Sequence, residues 1–181
     1  MANLEGDKDM SEKAQKLLNY LEKHNTMILS TYGENGPWAT PVFYINRGFQ
    51  IYFLSELTSK HSTNLREKSL SAAVITEDHK DWKKIQGIQL QGNAYLVTNL
   101  KKAALLLASY CKKYPAALHI FQTPGAFKGV PNARWHCLVP HYLKFTDNTE
   151  KFGHRLELEL KVIKRDNEFD YEEDSAMGGL V

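Results

Sequence analysis

Apolar and polar positions change period several times along the chain, and each change marks an element. From Ser11 to His24, Ala14, Leu17, Leu18 and Leu21 recur at helical spacing and predict an amphipathic helix. Asp9 and Ser11 are cap-type residues, and Asp9 with Glu12 forms a capping-box pattern. The pattern then turns to β-formers. Thr26 to Tyr32, Trp38 to Ile45 and Phe49 to Leu54 read as three strands. The turn-rich Gly33-Glu34-Asn35-Gly36-Pro37 and the short Asn46-Arg47-Gly48 join them into a meander. Pro41 has no N–H for a ladder, so it is expected at a bulge or beside a gap in the pairing. A gap there leaves backbone groups free to meet a ligand.

Thr58-Ser59-Lys60-His61 opens a short helix that runs to about Glu67. Leu70 to Thr76 is a fourth strand, Asp78 to Lys84 a charged loop, and Ile85 to Val97 a long fifth strand. Gly87 and Gly92 inside that strand mark bends or a close backbone approach. Asn99 to Tyr114 is a second long helix, with Ala103, Leu106, Leu107 and Tyr110 on its apolar side and Pro115 to stop it. Gln122 to Asn132 reads as a loop. Arg134 to Phe145 and Gly153 to Lys164 are the last two strands. In the latter, Leu156, Leu158 and Leu160 alternate with Glu157, Glu159 and Lys161, one face dry and one wet. The expected organisation is a flexible stretch 1–10, one domain over 11–165 and a disordered acidic tail 166–181. The expected class is mostly β (α+β), a six- to seven-stranded small barrel with flanking helices. Such a barrel fills its interior with side chains, so a ligand sits outside it, in a groove between subunits.

Composition narrows the functional classes. The net charge is +2 and the Lys and Arg residues form no stripe, so neither nucleic acid nor a membrane is an expected partner. No apolar run approaches the roughly 20 residues that span a bilayer. The polar N-terminus lacks the apolar core of a signal peptide. A cytoplasmic setting is therefore expected, with Cys111 and Cys137 as reduced thiols. His136, Cys137 and His141 superficially suggest metal ligands. However, His136 and His141 lie an odd number of positions apart, on opposite faces of a strand, so no metal site is expected.

The most informative stretch is Ile51 to Leu65: a strand, a hydroxyl-rich turn, then a helix opening on Ser59-Lys60-His61. A helix N-terminus offers free N–H groups and a partial positive charge. Lys60 has the wrong sign for that dipole, and a bound anion resolves the conflict.

Trp38-Ala-Thr-Pro-Val-Phe-Tyr-Ile45, Tyr52-Phe-Leu-Ser55, Ser59-Lys60-His61 with Asn64-Leu65, and Gln89-Leu-Gln-Gly-Asn-Ala94 together resemble the pyridoxamine 5′-phosphate oxidase-like FMN-binding split barrels. The run Leu143 to Arg155, with Lys-Phe-Thr-Asp-Asn-Thr followed by Phe-Gly, is similar to the uncharacterised YhbP-like branch. The resemblance implies a split barrel working as a homodimer with FMN at the subunit boundary. Lys60 and His61 match the pair that grips the FMN phosphate, with Ser59 at the same helix start. Thr40, Pro41, Val42 and Phe43 match the strand along the ribityl chain and ring. Leu54 and Ser55 match the strand end beside the phosphate. Gln86 and Gln89 match a strand approaching the ring from the partner. Thr146 and Arg155 match positions near the flavin in the C-terminal segment. The substrate-phosphate residues of the oxidase itself find no match. The implied activity is a flavin-dependent oxidoreductase of unknown small-molecule substrate. The alternative is a flavin or haem carrier on the same barrel.

Overall fold

The computed structural model describes residues 2–122, 133–165 and 168–172. Its elements are α1 (Ala2–Lys23), β1 (Thr26–Gly33), β2 (Gly36–Arg47), β3 (Gln50–Glu56), α2 (Lys60–Glu67), β4 (Leu70–Thr76), β5 (Gln86–Leu96), α3 (Leu100–Lys113), α4 (Pro115–Gln122), β6 (Ala133–Asp147), β7 (Arg155–Glu159), β8 (Val162–Arg165) and β9 (Glu168–Tyr171). Seven strands form one antiparallel sheet in the order β3-β2-β1-β4-β5-β6-β7, and a β3–β6 pairing closes six of them into a barrel. The 15-residue β6 allows this closure. Its first part, Ala133 to Leu138, pairs with β3, and Tyr142 to Thr146 pairs with β7 along the same edge.

Alternation decides what faces inward. On β1, Met27, Leu29 and Thr31 are buried while Thr26, Ile28, Ser30 and Tyr32 are exposed. Tyr44, Phe49, Ile51, Phe53, Ile75, Ile88 and Phe145 fill the barrel together with Leu17 and Leu21 of α1. The barrel thus has no room for a ligand inside. A second apolar cluster lies on its outer surface, where Tyr52, Tyr95, Trp135, Cys137 and Val139 are covered by Leu106 of α3 and by Phe169 and Tyr171 of the β8–β9 hairpin.

Interior glycines mark close approach, as expected. A Cβ on Gly92 would stand 2.3 Å from the Val139 carbonyl oxygen. The register slips there, with Gln91 opposite Tyr142 and Gly92 opposite Pro140, so His141 is the extra residue of a bulge. The strict parity assumed for His136 and His141 therefore fails, although His136 is buried and His141 only half-buried.

The ladder between β2 and β3 runs only from Arg47–Gln50 to Tyr44–Phe53. Beyond it, Gly36 to Phe43 pair with β1 alone, and Leu54 to Glu56 with β6 alone. The barrel is split at this point, and Pro41 stands on the free edge.

Some boundaries differ from the sequence expectation. α1 begins at Ala2, so Ser11 lies within the helix rather than starting it, and 2–10 are helical rather than a flexible lead. The helix formers Ala2, Leu4, Glu5 and Lys8 extend the pattern past the capping signal. Pro115 ends α3 but also opens α4, because a helix tolerates proline in its first turn. Residues 123–132, most of the expected loop, lie outside the described residues, as do 173–181. The expected last strand is two, β7 and β8. Part of the expected disordered tail is strand β9, where Phe169 and Tyr171 alternate with Glu168 and Asp170. Cys111 and Cys137 are both free thiols.

Candidate functional site at the split

α2 starts where β3 ends. Ser59, extended at φ −63° and ψ 149°, caps the helix by accepting from the Ser62 N–H. Around this cap the hydroxyls of Ser55, Ser59 and Ser62 meet the imidazole of His61. Ser55 Oγ and Ser59 Oγ are 3.0 Å apart. Ser62 Oγ donates to Ser55 Oγ at 3.2 Å, and Ser55 Oγ in turn is hydrogen-bonded to His61 Nε2. Burial lowers the His61 pKa and favours the neutral ring. Lys60 is exposed, and its ammonium lies 4.4 Å from the centroid of the Trp38 ring. Among the described residues it has no carboxylate partner, and the first turn of α2 carries no acidic residue. The positive helix end, its free N–H groups and this unpaired cation make one anion-seeking locus.

A glycine permits the docking of α2. A Cβ on Gly33 would lie 2.1 Å from Asn64 Oδ1. Asn64, buried in α2, instead donates to Thr31 Oγ1 at 3.1 Å and ties the helix to β1.

The split extends away from this locus. One wall is the free edge of β2, where Thr40 and Val42 are half-buried and Pro41 and Phe43 exposed. The other is the end of β3, with Leu54 opposite Trp135 and Ser55 opposite Arg134. Aromatic rings from α3 and its C-cap residue Tyr114 line the outer rim. Tyr114 packs edge-on against Phe43 at 5.3 Å and donates to the Tyr44 carbonyl at 2.6 Å. Tyr110 stands 4.6 Å from Tyr114 and 5.6 Å from Trp135. Burial raises the pKa of both phenols, so they remain protonated. The crevice is thus cationic and hydroxyl-rich at one end and aromatic at the other. It suits a molecule with a phosphate and a planar ring.

Eight sequence-predicted residues converge on this crevice or its rim: Thr40, Pro41, Val42, Phe43, Leu54, Ser55, Ser59 and Lys60. His61 joins them with its Nε2 turned inward. The remaining four do not converge within one chain. α2 sits by Thr31 and Gly33 at one end of β1. Gly87, next to Gln86, pairs with Thr76 toward the opposite end, and Thr146 and Arg155 continue the same row. Gln86 donates to Thr149 Oγ1 at 3.3 Å. Gln89 is exposed opposite Val74 on the outer sheet face. Sequence reasoning missed Trp38, Arg134 and the Tyr110–Tyr114 pair at this site. Only Trp38 carried a usable signal, two positions before Thr40 on the same strand. Among the described residues, no group of three or more His, Cys, Asp or Glu could hold a metal ion.

A six-stranded antiparallel barrel split between β2 and β3, with a helix N-terminus at the mouth of the split, defines the class of split-barrel proteins. The chain belongs to the pyridoxamine 5′-phosphate oxidase family, whose profile matches residues 10–147. Within that family it falls in the YhbP-like branch. It is 23% identical over 139 residues to UPF0306 protein YhbP of Salmonella paratyphi A, covering 76% of this chain and 86% of that one. Among solved structures it is similar to conserved hypothetical protein Rv2991 of Mycobacterium tuberculosis, with a TM-score of 0.64 and 17% identity over 75% of this chain and 85% of that one. It is equally similar to a haem binding protein from Mycobacterium smegmatis, with a TM-score of 0.64 and 16% identity over 81% of this chain and 57% of that one. At such identities these structures speak to the fold alone. No helix among the described residues is long and apolar enough to cross a membrane.

Proposed function

We propose that this protein binds FMN along the split, as a cytoplasmic homodimer, and acts as a flavin-dependent oxidoreductase on a small molecule. One observation carries the reading: the unpaired β2 edge leads directly to a helix N-terminus whose lysine has no carboxylate partner among the described residues. Lys60, Ser59 and the first N–H groups of α2 would hold the phosphate. Thr40 to Phe43 would lie along the ribityl chain, and Leu54 would flank the ring. The flavin, when bound, supplies the electron chemistry. The chain's own part is to fix the phosphate, shield the ring and shape what approaches it. His61, neutral and engaged with Ser55, would act as a hydrogen-bonding wall rather than as a second cation.

The dimer reading rests on the outer sheet face. Ile28 and Val74 face each other there across β1 and β4, exposed by 41% and 38%, with Pro41 and Gln89 beside them. A contiguous apolar face of this kind on a sheet is a surface for self-association. A two-fold partner is also what would carry Gln86, Gln89, Thr146 and Arg155 to a site they do not reach in their own chain.

A carrier of haem or flavin is the second reading, favoured by the fold shared with a haem binding protein. The absorbance spectrum of the purified protein separates the two: flavin bands support the first, a Soret band the second. Lys60→Ala then tests the phosphate locus. Charge-assisted bonds to phosphate contribute about 1.5–3 kcal/mol each, so FMN affinity is expected to fall by roughly 10- to 100-fold. Riboflavin, which lacks the phosphate, is expected to bind as before. Equal losses for both ligands would mean that Lys60 supports the fold and would remove the phosphate assignment.

A further inference from the structure

Next to the β3 wall of the split lies a cleft of about 520 Å³, which shares Leu54, Arg134 and Trp135 with that wall. It opens between the start of α3 and the ends of β3, β5 and β6. Leu54, Leu96, Val97, Leu107 and Trp135 line it with Arg134. Its volume falls within the roughly 300–1,000 Å³ typical of small-molecule sites. Leu54 and Trp135 line both spaces, so the cleft adjoins the split.

Arg134 gives the cleft its polarity. Its guanidinium donates to the Ala133 carbonyl at 3.0 Å, and Ala133 also lines the cleft, so the charge is held at the rim. No carboxylate pairs with Arg134 among the described residues. The other lining groups are apolar apart from Thr98. A guanidinium at the mouth of an apolar chamber is complementary to an apolar body bearing one anionic group, and its planar fork fits a carboxylate in particular.

We infer that this cleft is a binding site for a small apolar or aromatic carboxylic acid, whose carboxylate pairs with Arg134. The acid's body fills the space against Leu96, Val97 and Leu107. The cleft adjoins the split through the shared Leu54 and Trp135, which makes such acids the substrate class of the proposed oxidoreductase. That substrate role rests on the flavin reading; the binding site itself does not.

The test uses the full chain without added flavin and two probes of one ring system, 1-naphthoate and the neutral 1-naphthalenemethanol, titrated by calorimetry. Wild type is expected to bind the acid more tightly than the alcohol. Arg134→Gln changes an exposed side chain and is expected to weaken the acid by about 10- to 100-fold, the loss of a charge-assisted pair, while sparing the alcohol. Leu107→Trp, which fills the chamber, is expected to abolish both while Arg134→Gln keeps the wild-type melting temperature as the fold control. If wild type binds neither probe, or if Arg134→Gln leaves the acid unchanged, the inference is overturned. FMN is titrated in parallel. Loss of FMN affinity in Arg134→Gln with naphthoate binding intact would assign Arg134 to the phosphate end of the split and overturn the cleft. Arg134-dependent naphthoate binding by a protein that takes up no FMN would sustain the cleft and remove the flavin reading.

Discussion

Single residues hold the two ends of the barrel. Asp147 is buried at the end away from α2. Burial alone would raise its carboxyl, but hydrogen bonds from Thr149, Gln86 and Lys16 outweigh it and hold the pKa well below the ordinary value. Lys16 Nζ stands 3.0 Å from Asp147 Oδ2, bringing α1 to the end of β6. A carboxyl depressed by folding stabilises above its unfolded pKa, and that stability is lost as pH falls toward the folded value. Asp147→Asn is therefore expected to cost about 1.5–3 kcal/mol at neutral pH, the usual loss for a hydrogen bond to a charged group. The gap to wild type should be full above about pH 5 and narrow below about pH 4, near the unfolded carboxyl value. Urea melts at a series of pH values measure it, and a gap independent of pH would show the charge to be immaterial. At the other end, Gly33→Ala would drive a methyl group into the Asn64 amide and break its bond to Thr31. A loss of about 1–3 kcal/mol is expected from the overpacking and the unsatisfied buried groups. On the FMN reading proposed above, FMN affinity is expected to fall with it, because α2 would carry the phosphate. Stability unchanged in denaturant titration would show that α2 can shift freely.

At the scale of elements, the β8–β9 hairpin has the largest consequence that its sequence conceals. Phe169 and Tyr171 cover Tyr52, Tyr95 and Cys137, while Gln50 donates to Asp170 at 2.9 Å and Lys102 reaches Glu168 at 3.4 Å. Cys137 beneath them is fully buried, and burial pushes its thiol up to about 12, so it is inert in the folded protein. Ending the chain after Lys161 removes that cover. Burial of a large apolar side chain contributes about 1.5–3 kcal/mol, and a chain of this size loses about 2–4 °C per kcal/mol, so a drop of about 5 °C or more is expected. Cys137 should also begin to react with a thiol reagent in the native protein. A melting temperature and thiol reactivity equal to wild type would show that the hairpin is dispensable.

On the scale of the whole molecule, the question is what covers the outer face around Ile28 and Val74. A charge placed there cannot be buried cheaply against a second copy. Ile28→Lys with Val74→Asp is expected to leave the fold intact, because both side chains are exposed in the single chain. It should convert a dimer of about twice the 20.7 kDa chain mass into monomers by sedimentation. A wild type that is already monomeric at micromolar concentration would remove the two-fold arrangement, and with it the roles proposed for Gln86, Gln89, Thr146 and Arg155.

Most of the barrel was legible in the sequence because its strands are rich in β-formers, β1 and β4 alternate strictly, and its turns carry glycine, proline and asparagine. Pro41 even marked the free edge of the split, since a residue without an N–H suits a strand with one missing neighbour. Ser59 as the start of α2 was legible because helix caps are local. The start of α1 was not, because good helix formers continue upstream of a capping pattern that only packing could have enforced. β9 was hidden because Phe169 and Tyr171 are two apolar residues in an acidic stretch, and only the surface over Cys137 gives them a place. Arg134, Tyr110 and Tyr114 join the crevice through pairings and packings between elements distant in the chain. Local sequence fixes which backbone a residue prefers; which side chains share a crevice depends on register and helix docking, and only the tertiary fold decides those.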